Sequence, residues 1–96
     1  MADRAYQTIN PATDELIYEA DQLSADALEH KLSVAVSAFE RNKSSSFANR
    51  AKKLNTIADR LDQKIDEYSE LITREMGKPI TAARSEIEKC AWLCRY

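Results

Sequence analysis

Apolar residues recur along this chain in two rhythms. The first is short: Tyr6 to Ile9 and Leu16 to Tyr18 are brief apolar/polar runs, separated by Asn10-Pro11 and the turn formers Ala12-Thr13-Asp14-Glu15. Such runs predict a short β-hairpin or two edge strands, where Pro11 fits because it need not donate to a ladder. A hairpin of two strands is marginal alone and needs a surface to lie on. From Leu28 the rhythm changes. Leu28, Leu32, Ala35 and Phe39 follow at spacings of four, three and four, widened by Val34 and Ala38, and predict a helix with one apolar stripe. Ser24 stands where an N-cap belongs, and Leu23 and Leu28 hold the positions of a hydrophobic staple.

Ser44-Ser45-Ser46 interrupts that stripe, and Ser46 can cap a second helical region. There Ala51, Leu54, Ala58, Leu61, Ile65, Tyr68 and Ile72 recur at threes and fours, broadened by Ile57 and Leu71. The pattern fits one helix from about Phe47 to Met76 or two helices bent near Gln63-Lys64, since neither Gly nor Pro interrupts it. Gly77 then ends the helix as a left-handed C′ residue, and Pro79 bars continuation. Thr81 is the expected cap of a last helix carrying Ala83, Ile87, Cys90, Ala91 and Cys94 on one stripe. The apolar pattern is still running at Arg95-Tyr96 with no breaker, the expectation for a chain cut from a longer one. The predicted fold is therefore a mainly α fragment of three to four helices preceded by a short β-hairpin. Its division is 1–22 for the strand pair and 23–96 for the helical portion.

Composition narrows the function. A chain of 96 residues can build one thin core, burying roughly 60–65% of its unfolded surface. It has a single Gly, whereas a phosphate-cradling loop needs several where the backbone approaches the ligand, so no nucleotide loop is encoded here. The net charge of −2 conceals an asymmetry: Asp14 to Glu29 holds six acids and no Lys or Arg, and Arg41 to Lys64 holds seven bases against Asp59 and Asp62. Those bases alternate with the apolar stripe, which reads as a solvated helix face before it reads as a nucleic-acid surface. Met1-Ala2-Asp3-Arg4 opens without an apolar run, and no stretch of about 18 apolar residues occurs, so neither a secretory signal nor a membrane span is read. A reducing, cytoplasmic setting is expected.

Chemistry-bearing clusters are few. His30 has no acidic or cysteine partner at ligand spacing and reads as a surface residue. Cys90 and Cys94 share the Ile87 stripe and are expected as small buried hydrophobes. Glu75 and Lys78 read as a local ion pair with a cation near a helix C-terminus, and Arg84 with Glu88 as a helix-face pair. The sequence thus nominates no catalytic, cofactor-binding or metal-ligating residue in these positions, and the piece by itself is not expected to catalyse.

One string is specific. Glu75-Met76-Gly77-Lys78-Pro79, with Ala83, Arg84 and Glu86 behind it, resembles the N-terminal region of the NAD(P)-dependent aldehyde dehydrogenases. Asn10-Pro11-Ala12-Thr13 looks like that family's opening N-P-A-T-G-E strand pair, and Ala35 to Phe39 like the A-x-x-A-F end of its first helix. Arg50-Ala51 with Leu54, Ile57, Ala58 and Leu61 looks like its R-A-x-x-L-x-x-I-A-x-x-L helix. Leu71 to Pro79 and Ala91 to Cys94 look most like the succinate-semialdehyde dehydrogenase branch. The chain departs from the pattern at Asp14, where a Gly is usual, at Asn42 or Lys43, where a Trp is usual, and at Ile65, where relatives often carry a Ser or Asp cap. Asp tolerates the left-handed region, so the turn can survive.

The resemblance implies helices that belong to an α/β, Rossmann-like coenzyme-binding domain. It implies a parent reaction of thiohemiacetal formation at a Cys, hydride transfer to NAD or NADP, and thioester hydrolysis, with nucleophile, general base and coenzyme loops all downstream. Cys90 and Cys94 do not match that nucleophile. Implied partners are a small aldehyde, the remainder of the enzyme chain and further copies in a homo-oligomer, with no nucleic acid and no membrane. The competing reading is an autonomous helical scaffold or protein-interaction module without enzymatic activity.

Overall fold

The structure is a computed structural model that describes residues 5–96. The opening Met1 to Arg4, read above for a secretory signal, lies outside them. Strands β1 (Tyr6–Ile9) and β2 (Leu16–Ala20) pair antiparallel, with Tyr6 opposite Ala20, Thr8 opposite Tyr18 and Ile9 opposite Leu16. The register shifts between Thr8 and Ile9, leaving Ile17 as the extra residue of a bulge and half-buried. Asn10 organises the connection. Its side-chain oxygen accepts from Ala12 N–H at 2.9 Å, its carbonyl accepts from Asp14 N–H at 2.8 Å, and its N–H donates to the Glu15 carbonyl at 2.9 Å. Asp14 takes φ 60°, the left-handed conformation expected of the residue in the place of a usual Gly.

Four helices follow: α1 (Ala25–Lys43), α2 (Phe47–Gln63), α3 (Ile65–Met76) and α4 (Ile80–Arg95). Ser24 and Ser46 cap α1 and α2 as the sequence predicts, accepting from Ala27 N–H and Asn49 N–H, each at 3.1 Å. The long region is two helices. Lys64 alone leaves helical geometry, at φ −110° and ψ 20°, while its N–H still donates to the Arg60 carbonyl and its carbonyl still accepts from Tyr68. The backbone leaves the helix at a residue that still bonds in both directions, and neither Gly nor Pro marks the place.

The cap of α4 differs from expectation. Pro79, at φ −54° and ψ 137°, occupies the N-cap, and Thr81 lies inside the first turn, where its carbonyl accepts from Ser85 Oγ at 3.1 Å. Proline already supplies the extended cap geometry and its carbonyl accepts from Ala83 N–H at 2.9 Å, so no side-chain cap is needed.

Helix α4 lies against both α2 and α3, which scarcely touch one another. The centre is built of small residues: Ala58, Ser69, Ala83 and Ala91 are buried, with Ile87 beside them. Small side chains let the backbones approach closely, and the Ser69 hydroxyl satisfies itself by donating to the Ile65 carbonyl at 2.5 Å. Leu61, Ile65, Tyr68 and Ile72 of the predicted stripe are half-buried around this centre, whereas Ala51 and Leu54 are exposed. The hairpin rests on α3 through β1.

The whole is a plate, 47 × 41 × 15 Å, little more than one helix thick. Its radius of gyration is 17.6 Å, against about 12–13 Å for a compact chain of this length. Its accessible surface is 8055 Å², where a compact protein of this mass exposes about 5,600 Å². Helix α1 buries no residue at all.

Candidate functional site

The place where the specific sequence strings meet is the junction of the hairpin loop with the α3–α4 turn. Gly77 closes α3 in the left-handed conformation, φ 72°, and its N–H donates to the Thr73 carbonyl at 2.8 Å. A Cβ built on Gly77 would lie 3.1 Å from Pro11 Cγ. Glycine is required here twice over, by its dihedral and by the proline ring pressed on it. The two strings that carry the family resemblance, one around Pro11 and one around Gly77, are thus in contact.

Ion pairs radiate from this junction, and they differ from the local pairs predicted. Lys78 pairs with Glu86 across the Pro79 turn, not with Glu75, which has no ion-pair partner among the described residues. Arg84 pairs with Asp66 at the start of α3, not with Glu88, and so ties α4 to α3. For Arg84 the cause is packing, since α4 lies against α3 and a cross-helix carboxylate competes with those on its own face, whereas Lys78, in the turn, reaches forward onto α4 and not back onto α3. At the far end Arg95 donates to Asp59 and Asp62 of α2, at 2.8 and 2.7 Å. The hydrogen bond to Asp59, then that to Asp62, raises the Arg95 pKa above its ordinary value. A raised cation contributes fully below its ordinary value and loses the contribution only as pH climbs through the raised one, so Arg95 keeps its charge in this tie at neutral pH. Asp59 and Asp62, the two acids within a basic run and three residues apart, were the signal for it.

A second cluster explains the Arg50-Ala51 motif. The Arg50 guanidinium donates to the carbonyls of Lys43 at 2.9 Å and Asn42 at 3.3 Å, and lies over the Phe47 ring at 5.7 Å. It caps the C-terminus of α1 with positive charge and fixes the elbow into α2. Lys53 adds a hydrogen bond to Asn42 Oδ1 at 3.3 Å.

Cys94 is half-buried, as its stripe predicts, but Cys90 is exposed, which corrects the expectation of burial. Ala83, Ile87 and Ala91 face the core, and Cys90 sits on the flank of that arc. His30 is exposed, and among the described residues no group of His, Cys, Asp and Glu is placed to hold a metal ion. The grooves are shallow. One, about 350 Å³, is lined by Tyr6, Asp21, Gln22, Leu23 and Leu28, and brings the two staple leucines together. It contains no nucleophile–base pair. No glycine lines a helix start among the described residues: Gly77 N–H is held by the Thr73 carbonyl at the end of α3, Ser24 and Ser46 each take an amide at the starts of α1 and α2, and α4 starts on Pro79 without a side-chain cap. The residues present do not fit a bound dinucleotide. No helix among them is long and apolar enough to cross a membrane.

Comparison with known proteins gives this scaffold a family. Residues 1–96 match the aldehyde dehydrogenase family. The succinate semialdehyde dehydrogenase [NAD(P)+] Sad of Escherichia coli is 40% identical over 89 residues, covering 93% of this chain and 19% of the relative. A probable succinate-semialdehyde dehydrogenase [NADP(+)] of Synechocystis is 39% identical over 92 residues, covering 96% and 20%. The succinate-semialdehyde dehydrogenase [NADP(+)] of Mycobacterium leprae is 36% identical over 89 residues, covering 93% and 20%. The chain spans about a fifth of the length of these relatives. With four helices behind a hairpin, the layout of a partial Rossmann-like coenzyme domain, and a match along its whole length, the chain belongs to the aldehyde dehydrogenase family.

Proposed function

We propose that this chain serves as the N-terminal part of an NAD(P)+-dependent aldehyde dehydrogenase that oxidises succinate semialdehyde, or a similar small aldehyde, to the acid. The parent acts as a cytoplasmic homo-oligomer. The observation that carries this reading is the contact of Pro11 with Gly77, which joins the two family strings into one structural unit. The relatives named as succinate-semialdehyde dehydrogenases, alike along nearly all of this chain, support the substrate.

In that enzyme the residues described here support the catalytic apparatus and stay outside it. Gly77, Pro11 and the Lys78–Glu86 pair fix the hairpin and α4 against α3, and Arg50 fixes the α1–α2 elbow. When bound, the coenzyme supplies the hydride acceptor; the charges that hold it and the nucleophile that presents the aldehyde come from other parts of the parent.

The test is to express the whole encoding reading frame and follow NAD(P)H formation at 340 nm with succinate semialdehyde and with an uncharged aldehyde of equal length. The expected result is turnover with a kcat/KM for succinate semialdehyde at least about tenfold higher, as one charge-assisted contact to its carboxylate provides. Turnover that favours the uncharged aldehyde overturns the substrate. A reading frame that stops after Tyr96 and gives no turnover overturns the enzyme and leaves the helical scaffold reading.

A further inference from the structure

Helix α4 carries both cysteines of the chain, Cys90 and Cys94, and both are free thiols. They are four residues apart, so they differ by only about 40° around the helix and stand one above the other. Ala83, Ile87 and Ala91 take the side of α4 that faces the core. Cys90, at the edge of that side, is exposed, and Cys94, near the end of the helix, is half-buried. The turn between them is regular. Helix α4 runs to Arg95, and the Tyr96 N–H still donates to the Trp92 carbonyl at 3.0 Å.

That spacing decides what can join the two sulfurs. Neighbours at i and i+4 on a helix hold their Cβ atoms about 5–6 Å apart, whereas a disulfide brings them to about 3.5–4.5 Å. A direct S–S bond would therefore have to unwind the last turn of α4. One larger atom set between the sulfurs spans the gap and leaves the helix as it is. Soft, thiophilic centres seek such ligands. Among the described residues no third His, Cys, Asp or Glu joins the pair, so a centre that needs three or four protein donors is not served. Charge narrows the choice further. Cys94 lies in the last turn of α4, at the negative end of the helix dipole, where a two-thiolate complex of net negative charge is disfavoured. A trivalent arsenic centre with one carbon substituent takes two sulfurs and leaves a neutral product. Leu93, three residues on from Cys90 and 64% exposed, offers apolar surface to that substituent.

We propose that Cys90 and Cys94 form a dithiol site for a monosubstituted trivalent arsenical, bound as a bridge along one turn of α4. From an arsenoxide, two As–S bonds form and the bond from arsenic to oxygen is lost. Both thiol protons leave with that oxygen as one water, and neither arsenic nor sulfur changes oxidation state. The site does not depend on the reading of the parent's reaction.

Titrating the reduced 96-residue chain with phenylarsine oxide, and following intact mass and free thiols, tests the site. One arsenical per chain is expected at equimolar reagent, with a mass gain of one phenylarsenic group less two hydrogens and loss of both thiols. Cys90→Ser and Cys94→Ser should each weaken binding at least about a hundredfold, because the second sulfur then no longer acts at high effective concentration. Trp92→Cys combined with Cys94→Ser keeps two cysteines but sets them two residues apart, on opposite sides of the helix. That displaced pair should bind no better than the single variants in the folded chain, and should lose the deficit in concentrated guanidinium chloride. Circular dichroism checks that each variant stays helical before the comparison. No arsenical, two per chain, or one shared between two chains overturns the proposal. So does a single-cysteine variant, or the displaced pair in its folded state, that binds as tightly as the unaltered chain.

Discussion

At the scale of single residues, Gly77 carries the heaviest constraint. An L side chain at φ 72° costs about 1–2 kcal/mol, and its Cβ would press on Pro11 Cγ at 3.1 Å. Gly77→Ala is therefore expected to lower stability by about 2 kcal/mol in urea titration. The two causes separate in a double-mutant cycle. With Pro11→Ala in the background the contact disappears and only the dihedral cost stays, so the penalty for Gly77→Ala should shrink by about 0.5–1 kcal/mol. An unchanged penalty would show that Pro11 does not bear on Gly77. The stop signal at Gly77-Lys78-Pro79 was legible from the sequence because both residues act through their own backbone. Its second role was not, since nothing in the local string says that a loop some sixty-six positions earlier lies on the glycine. The same limit explains Lys78 and Arg84, whose carboxylate partners, Glu86 and Asp66, are not set by helix spacing.

At the scale of elements, the hairpin, the two serine caps and every helix were visible as changes of rhythm, because burial on one side imposes a period of two or of three to four. Periodicity could not decide the break at Lys64, where neither Gly nor Pro stands and a single residue leaves helical geometry. It also missed Ser69, a polar residue that is fully buried. Ser69 is at the centre because α4 comes close to α3, and only a small side chain leaves room. Its hydroxyl bonds a carbonyl of its own helix, so removing it leaves no cross-helix partner stranded. Ser69→Ala should accordingly change stability by less than about 0.5 kcal/mol. Ser69→Leu adds volume where there is none and should cost about 1–3 kcal/mol or push α4 off α3. Chemical denaturation with tryptophan fluorescence reads both, as Trp92 lies on α4. If Leu is tolerated as well as Ala, the α3–α4 contact is looser than this packing requires.

At the scale of the whole molecule, the thin plate and the exposed strip of α1 express one fact: the apolar pattern that specifies the helices is larger than the surface they bury against each other. The sequence made the stripes legible but not their destinations, since an apolar period looks the same whether it is half-buried, as at Leu61 and Ile72, or faces solvent, as at Leu32 and Phe39. The family follows from strings short enough to read directly; the coenzyme does not come with it. Dinucleotide binding needs free backbone N–H groups converging at a helix start next to glycines that allow close approach. Here Ser24 and Ser46 each take an amide at the starts of α1 and α2, α4 starts with no side-chain cap, and the single glycine, which close approach to a dinucleotide would need, is spent on ending α3 under a proline ring. Titration calorimetry of the 96-residue chain with NAD+ and with NADP+ should therefore give no heat beyond dilution. Replacing Ser24 and Ser46 by Gly should not create binding, because opening a helix start supplies donors but no groove to hold the rest of the dinucleotide. Micromolar affinity for either coenzyme in the unaltered chain would mean that these helices carry a nucleotide site of their own. The division of labour argued for the parent enzyme would then be wrong.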